Sequence, residues 1–169
     1  ASHLNTPGDI VQMADKEGLE ACIKAKEEGN EIYVETCPQY LEFTCDVYKR
    51  EDGRNFVCSP PMKGQESQDA LWKALKAGFI DTVATDHCPF QSYEKDWGKD
   101  DFTKIPNGCA GVENLYPYML DAANAGKLPF EKVVEVCSTN VAKIFGCDNK
   151  GAIAIGKDAD IVIYDKDKD

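Results

Sequence analysis

Apolar and polar positions change period several times along this chain, and each change marks an element. After the Asn5-Thr6-Pro7-Gly8 breaker, Asp9-Ile10-Val11-Gln12-Met13 is a short β-prone run. From about 15 to 28 the period is helical. Leu19, Cys22, Ile23 and Lys26 mark the packing face, and Gly29 is placed to end the helix. Glu31-Ile32-Tyr33-Val34-Glu35 predicts the next strand, followed by an irregular segment as far as Ser59-Pro60-Pro61. A second helix is expected over 67–77, with Ala70, Leu71, Ala74 and Leu75 at helical spacing and Gly78 as stop. The β-branched run Thr82-Val83-Ala84-Thr85 then halts at Asp86-His87. From 87 to 111 the chain is polar and rich in Gly, Pro and Asp, the composition of an active-site loop or a disordered one. Helices are expected near 112–125 and 130–145, the second broken near Ser138-Thr139. Ala152-Ile153-Ala154-Ile155 and Asp160-Ile161-Val162-Ile163-Tyr164 predict two closing strands.

Strand–helix–strand–helix–strand is the order of a parallel α/β sheet with crossover helices. Three strands do not close a barrel, and a (β/α)8 barrel takes about 250 residues. The two closing strands have no evident sheet to join. The expectation is therefore an incomplete chain, the later part of a larger protein.

Bulk properties narrow the partners. A formal net charge of −11 over 169 residues would repel nucleic-acid phosphates and an anionic membrane surface. No apolar run reaches the length of a membrane span, and the start lacks the basic and apolar regions of a signal peptide, so a soluble cytoplasmic protein is expected. The eight cysteines, at 22, 37, 45, 58, 88, 109, 137 and 147, contain no Cys-x-x-Cys pair. Several fall inside apolar patterns, and most are expected to be buried reduced thiols rather than disulfides or zinc ligands.

The candidate chemistry gathers at Asp86. A carboxylate at the C-terminal end of a buried strand stands where α/β folds place their chemistry, although Asp and Pro are also common turn residues. Other segments fit around it in order: Glu35-Thr36-Cys37-Pro38-Gln39-Tyr40-Leu41, Cys58-Ser59-Pro60-Pro61, Thr85-Asp86-His87-Cys88-Pro89-Phe90, Phe102-Thr103-Lys104-Ile105-Pro106-Asn107-Gly108, Ser138-Thr139-Asn140-Val141-Ala142 and Lys150-Gly151-Ala152 through Asp160-Ile161-Val162. This ordered set resembles the dihydropyrimidinase and D-hydantoinase family of cyclic-amide hydrolases, within the amidohydrolase superfamily, over nearly the whole chain.

The resemblance implies the latter part of a TIM-type (β/α)8 barrel over 1–147, then strands of a small β-sandwich domain over 148–169. It implies ring opening of dihydropyrimidines or hydantoins at a two-zinc site, and a homotetramer. Asp86 matches the aspartate that binds one metal and acts as general acid/base. Ser59 and Asn107 match positions whose backbone groups hold the amide edge of the ring. The family's metal-ligand histidine before Glu35 falls on Gln12, in Val11-Gln12-Met13-Ala14-Asp15. Gln is a much poorer ligand for a transition metal than imidazole. A rival register places His3 there, at the cost of an insertion of about nine residues against usual connections of 2–6. Gln12 also fits a catalytically silent scaffold relative, whereas retention of Asp86 fits an enzyme. His87 either points into the site or is hydrogen-bonded beneath the loop. Lys95, Lys99 and Lys104 are expected to be solvated, and Glu17, Glu20, Glu27 and Glu28 to form the wet face of their helix.

Overall fold

A computed structural model describes residues 6–166, so His3 lies outside the described residues. The chain divides after Leu115 into two compact units.

In the first unit, β1 (Gly8–Ile10), β2 (Ile32–Thr36) and β3 (Thr82–Val83) form one parallel sheet in the order β1-β2-β3. Gly8 pairs with Ile32 and Ile10 with Val34, while Glu35 pairs with Thr82 and Thr36 with Val83. The crossovers carry α1 (Lys16–Glu27) and α3 (Gln65–Ala77), which pack on each other, as the apolar spacing predicts. Leu19, Cys22, Val34, Leu71, Leu75, Ile80 and Val83 form the buried core between helices and sheet. Asp15 caps α1, its Oδ1 accepting from the Gly18 N–H at 2.7 Å. Gly78 closes α3 at φ 82°, a left-handed state that suits glycine. The four acidic residues of α1's outer face are exposed.

A partly buried carboxylate joins helix and sheet. Asp81 Oδ2 accepts from the Val34 N–H at 2.7 Å and from Lys26 Nζ at 2.5 Å.

Between β2 and α3, a five-residue α2 (Pro38–Glu42) and two 3-10 turns occupy the stretch expected to be irregular. After β3, α4 (Ser92–Lys95) and two more 3-10 turns, Asp96–Gly98 and Phe102–Lys104, organise the long polar loop.

The second unit contains α5 (Leu115–Asn124), whose first residue belongs to the unit before, then α6 (Phe130–Val134) and α7 (Asn140–Ile144). A π-helical segment, Glu135–Thr139, joins the last two where the break is expected. Met119, Ala122, Val133 and Val136 are among the unit's buried positions.

The two expected closing strands are not formed among the described residues. Residues 152–155 and 160–164 form turns and extended chain, not strands, and Ile153, Ile155, Ile161 and Ile163 are exposed. A β-ladder needs a partner, and none lies beside these runs among the described residues. Lys150 Nζ instead ties the turn to the carboxylates of Asp158 and Asp160. No helix is long and apolar enough to cross a membrane among the described residues.

Candidate active site

The C-terminal edge of the sheet is built from strained chain. The β1–β2 ladder resumes at Met13, whose N–H donates to the Glu35 carbonyl at 2.7 Å, and the Thr36 hydroxyl donates to the Met13 carbonyl at 2.7 Å. Gln12 is squeezed out ahead of this anchor at φ 56°. Beyond β3, the Ala84 N–H reaches the Thr36 carbonyl at 3.0 Å, and Asp86 turns at φ 47°. Gln12 and Asp86 are the two non-glycine residues with positive φ among the described residues. Left-handed backbone at a non-glycine residue costs on the order of 1–3 kcal/mol and clusters at functional sites.

Asp86 is half-buried, and its carboxylate has no hydrogen-bond or ion-pair partner among the described residues. Glu35 lies between it and Gln12. Burial pushes the Glu35 carboxyl up, Asp9 and Asp86 add to this, and the Gln12 N–H acts against it. The sequence places Glu35 at the end of β2 but gives no sign that it shares this edge with Asp86.

Ser59 and Asn107 lie on two exposed loops that the backbone fastens side by side. The Gly108 N–H donates to the Val57 carbonyl at 3.0 Å. The Asp86 loop joins the same cluster, since the Cys88 N–H donates to the Cys109 carbonyl at 3.0 Å and His87 bridges to Cys109. The segments bearing Asp86, Ser59 and Asn107 are thus stitched into one surface, 21 and 48 residues apart in sequence at their nearest and farthest site positions. The Asn107 side chain donates to the Ile105 carbonyl at 3.1 Å, and a cis peptide joins Ser59 to Pro60.

His87 takes the second of its two alternatives. Its Nδ1 accepts from the N–H groups of Gly111 at 3.0 Å and Val112 at 3.2 Å, so the imidazole fastens the end of the long loop.

Lys95 is a further correction. Far from being solvated, it is 2% exposed, and its Nζ donates to the carbonyls of Val57 at 2.7 Å, Pro106 at 2.5 Å and Gly108 at 2.8 Å. Lys99 and Lys104 are exposed as expected.

Two thiols border this ammonium. The Cys58 thiol donates to the Pro60 carbonyl at 3.2 Å. The neighbouring Cys58 thiol and the charge of Lys95 hold Cys109 below the ordinary thiol range, while Cys109 and burial push Cys58 up. All eight cysteines are free. Cys22, Cys37 and Cys58 are buried, whereas Cys45, Cys88 and Cys147 are exposed, contrary to the expectation for most. Cys45 opens a 3-10 turn, Cys88 lies in the loop after β3, and Cys147 follows α7.

The donor set settles how far a metal fits. Asp86 offers a free carboxylate suited to a cation, but Gln12 offers only a neutral amide and His87 spends Nδ1 on the backbone. Among the described residues no group of three His, Cys, Asp or Glu could hold a metal ion.

The description "Amidohydrolase family" matches residues 25–169. D-hydantoinase of Rhizobium radiobacter is 39% identical over 170 residues, covering 98% of this chain and 37% of the relative. D-phenylhydantoinase of Escherichia coli O1:K1 / APEC is 39% identical over 164 residues, covering 95% and 36%. The crystal structure of dihydropyrimidinase from Brevibacillus agri NCHU1002 superposes with a TM-score of 0.90 at 38% identity, over 94% of this chain and 35% of that one. The chain thus spans little more than a third of the length of the curated relatives it matches. Its strand–helix repeats are part of a TIM-type barrel. By sequence and by fold, this chain belongs to the amidohydrolase family, on the side of the D-hydantoinases and dihydropyrimidinases.

Proposed function

We propose that these residues form part of an enzyme that hydrolyses a cyclic amide, opening dihydropyrimidines or hydantoins to N-carbamoyl amino acids. The observation that carries this is the stitched surface on which the loop bearing the free Asp86 carboxylate is hydrogen-bonded to the Asn107 loop, and that loop in turn to the Ser59 loop. A planar imide edge presents alternating N–H and C=O groups. Backbone donors and acceptors at Ser59 and Asn107 match such an edge without requiring charge. Asp86, lacking a competing partner, carries a proton toward the leaving ring nitrogen. Its strained backbone aims that carboxylate and adds to the preorganisation.

Zinc is the metal of this proposal, with Asp86 as one donor; when bound, it supplies the Lewis acidity that polarises the ring carbonyl. The donors among the described residues do not complete such a site, so this segment alone is proposed not to turn over. On this reading 1–147 is the barrel portion and 148–169 the sandwich portion, within a cytoplasmic homotetramer.

Gln12 favours a second reading, a catalytically silent scaffold that has lost a metal ligand. Zinc content and hydrolysis of dihydrouracil and hydantoin by the full-length protein, with Asp86→Ala beside it, decide between them. Turnover abolished by Asp86→Ala supports the enzyme. A folded full-length protein that opens neither ring supports the scaffold.

A further inference from the structure

Lys95 has no role in the site as described so far, yet it is the largest fully buried side chain among the described residues. An ammonium has three N–H donors, and here each finds a carbonyl. No carboxylate pairs with it at salt-bridge distance among the described residues; its other neighbours include the Cys58 and Cys109 thiols and the Phe90 ring, 5.4 Å from Nζ to centroid. Burial lowers its affinity for the proton, as expected for an ammonium taken out of water. A buried charge is a poor stabiliser, since an apolar side chain of similar volume often serves as well or better. What the charge does supply is geometry. Val57 lies two residues before Ser59, and Pro106 and Gly108 flank Asn107 on either side.

We infer that Lys95 is a positioning residue for the substrate, its ammonium gathering three carbonyls so that the Ser59 and Asn107 backbones keep the spacing that receives the amide edge of the ring. The inference rests on the cyclic-amidase reading. It adds a residue that touches no substrate and acts through two loops at once. The Gly108 N–H to Val57 hydrogen bond alone joins the loops at one point, and Lys95 turns that point into a fixed frame. Its own position is set by α4, where the Glu94 carboxylate accepts from the Gln91 N–H at 2.6 Å in a capping box.

The test uses Lys95→Met and Lys95→Arg in the full-length, metal-loaded protein, with dihydrouracil as substrate. Lys95→Met is expected to raise KM about tenfold or more with kcat within about threefold, because binding geometry is lost while the reacting groups remain. Metal content stays at the unsubstituted level. Amide hydrogen exchange, read without substrate, speeds up in 57–59 and 106–109 and not in β2. Lys95→Arg, which keeps the charge but spreads it over a planar fork, gives an intermediate KM. It carries the test should Lys95→Met fail to fold. An unchanged KM, unchanged exchange in those loops, or a fall in kcat as large as the rise in KM overturns the inference. If the unsubstituted protein opens no ring, the cyclic-amidase reading fails instead, and the exchange measurement still decides whether Lys95 frames the loops.

Discussion

Gln12 and Asp86 share one uncommon backbone state on either side of β2, with φ of 56° at Gln12 and 47° at Asp86. Glycine adopts this state freely, and Asp tolerates it better than Gln. Gln12→Gly should therefore stabilise the full-length protein by about 1 kcal/mol, and Asp86→Gly by less. Asp86→Gly should nevertheless abolish ring opening. Urea titration beside an activity assay reads both effects. A loss of stability in Gln12→Gly would mean that the amide side chain, not the backbone, is what matters there.

The position of Gln12 also bears on metal retention. A neutral amide oxygen holds a transition metal weakly. On the zinc-dependent reading proposed above, Gln12→Ala should leave the zinc content of the full-length protein unchanged, while Gln12→His should slow zinc loss to a chelator. Zinc loss on Gln12→Ala would show that the amide is a working ligand.

Asp81 is the stability counterpart of that edge. It accepts from a strand N–H and from Lys26, with both side chains only 19% exposed. Removing one partner of a largely buried pair leaves a stranded ammonium and an unpaired amide. Asp81→Ala should cost about 2–4 kcal/mol, with Asp81→Asn milder because it still accepts from Val34. Equal losses in the two variants would assign the whole effect to the Lys26 pair.

Cys109 should show its electrostatics through its reactivity. The thiolate is the nucleophile, so lowering its proton affinity moves alkylation to lower pH. The midpoint of its alkylation rate against pH should fall below the ordinary thiol value of about 8.5. Lys95→Met should move it upward, since the charge that favours the thiolate is gone. A midpoint indifferent to that substitution would remove Lys95 as a cause.

The sequence made the sheet and its crossovers legible because α1 and α3 bury regular stripes, Leu19 with Cys22 and Leu71 with Ala74 and Leu75. It also marked Asp86, Ser59 and Asn107 as candidate site residues, and the loops that bear them do meet. Helix α2 escaped because five residues after Cys37 are too few to show a period. Lys95 escaped for a different reason. A lysine in a polar loop reads as solvated, and only three carbonyls contributed by distant loops make its burial tolerable. The Gln91-x-x-Glu94 capping box was the available hint that this loop is ordered. Ile153 to Tyr164 is the opposite case, since alternation identifies a chain able to form strands but cannot supply the neighbour that a ladder needs.

The hydrogen bonding of Asn107 and the tight packing of Gly108 also bear on how this protein ages. Asparagine is among the thermolabile residues, and an Asn-Gly pair deamidates when the glycine nitrogen attacks the side-chain amide to form a succinimide. Here that nitrogen is engaged with Val57, and the Asn107 amide is held by Ile105. A Cβ at Gly108 would collide with Cys88, so the pair cannot be relieved by exchanging the glycine for a larger residue. Peptide mapping after prolonged warm storage should find Asn107 intact in folded protein and converted to aspartate and isoaspartate in the unfolded chain. Lys95→Met should fall between them, and equal rates in all three would deny the loops any protective effect. The frame that orders these two loops thus doubles as a preservative, slowing a chemical clock written into the Asn-Gly pair.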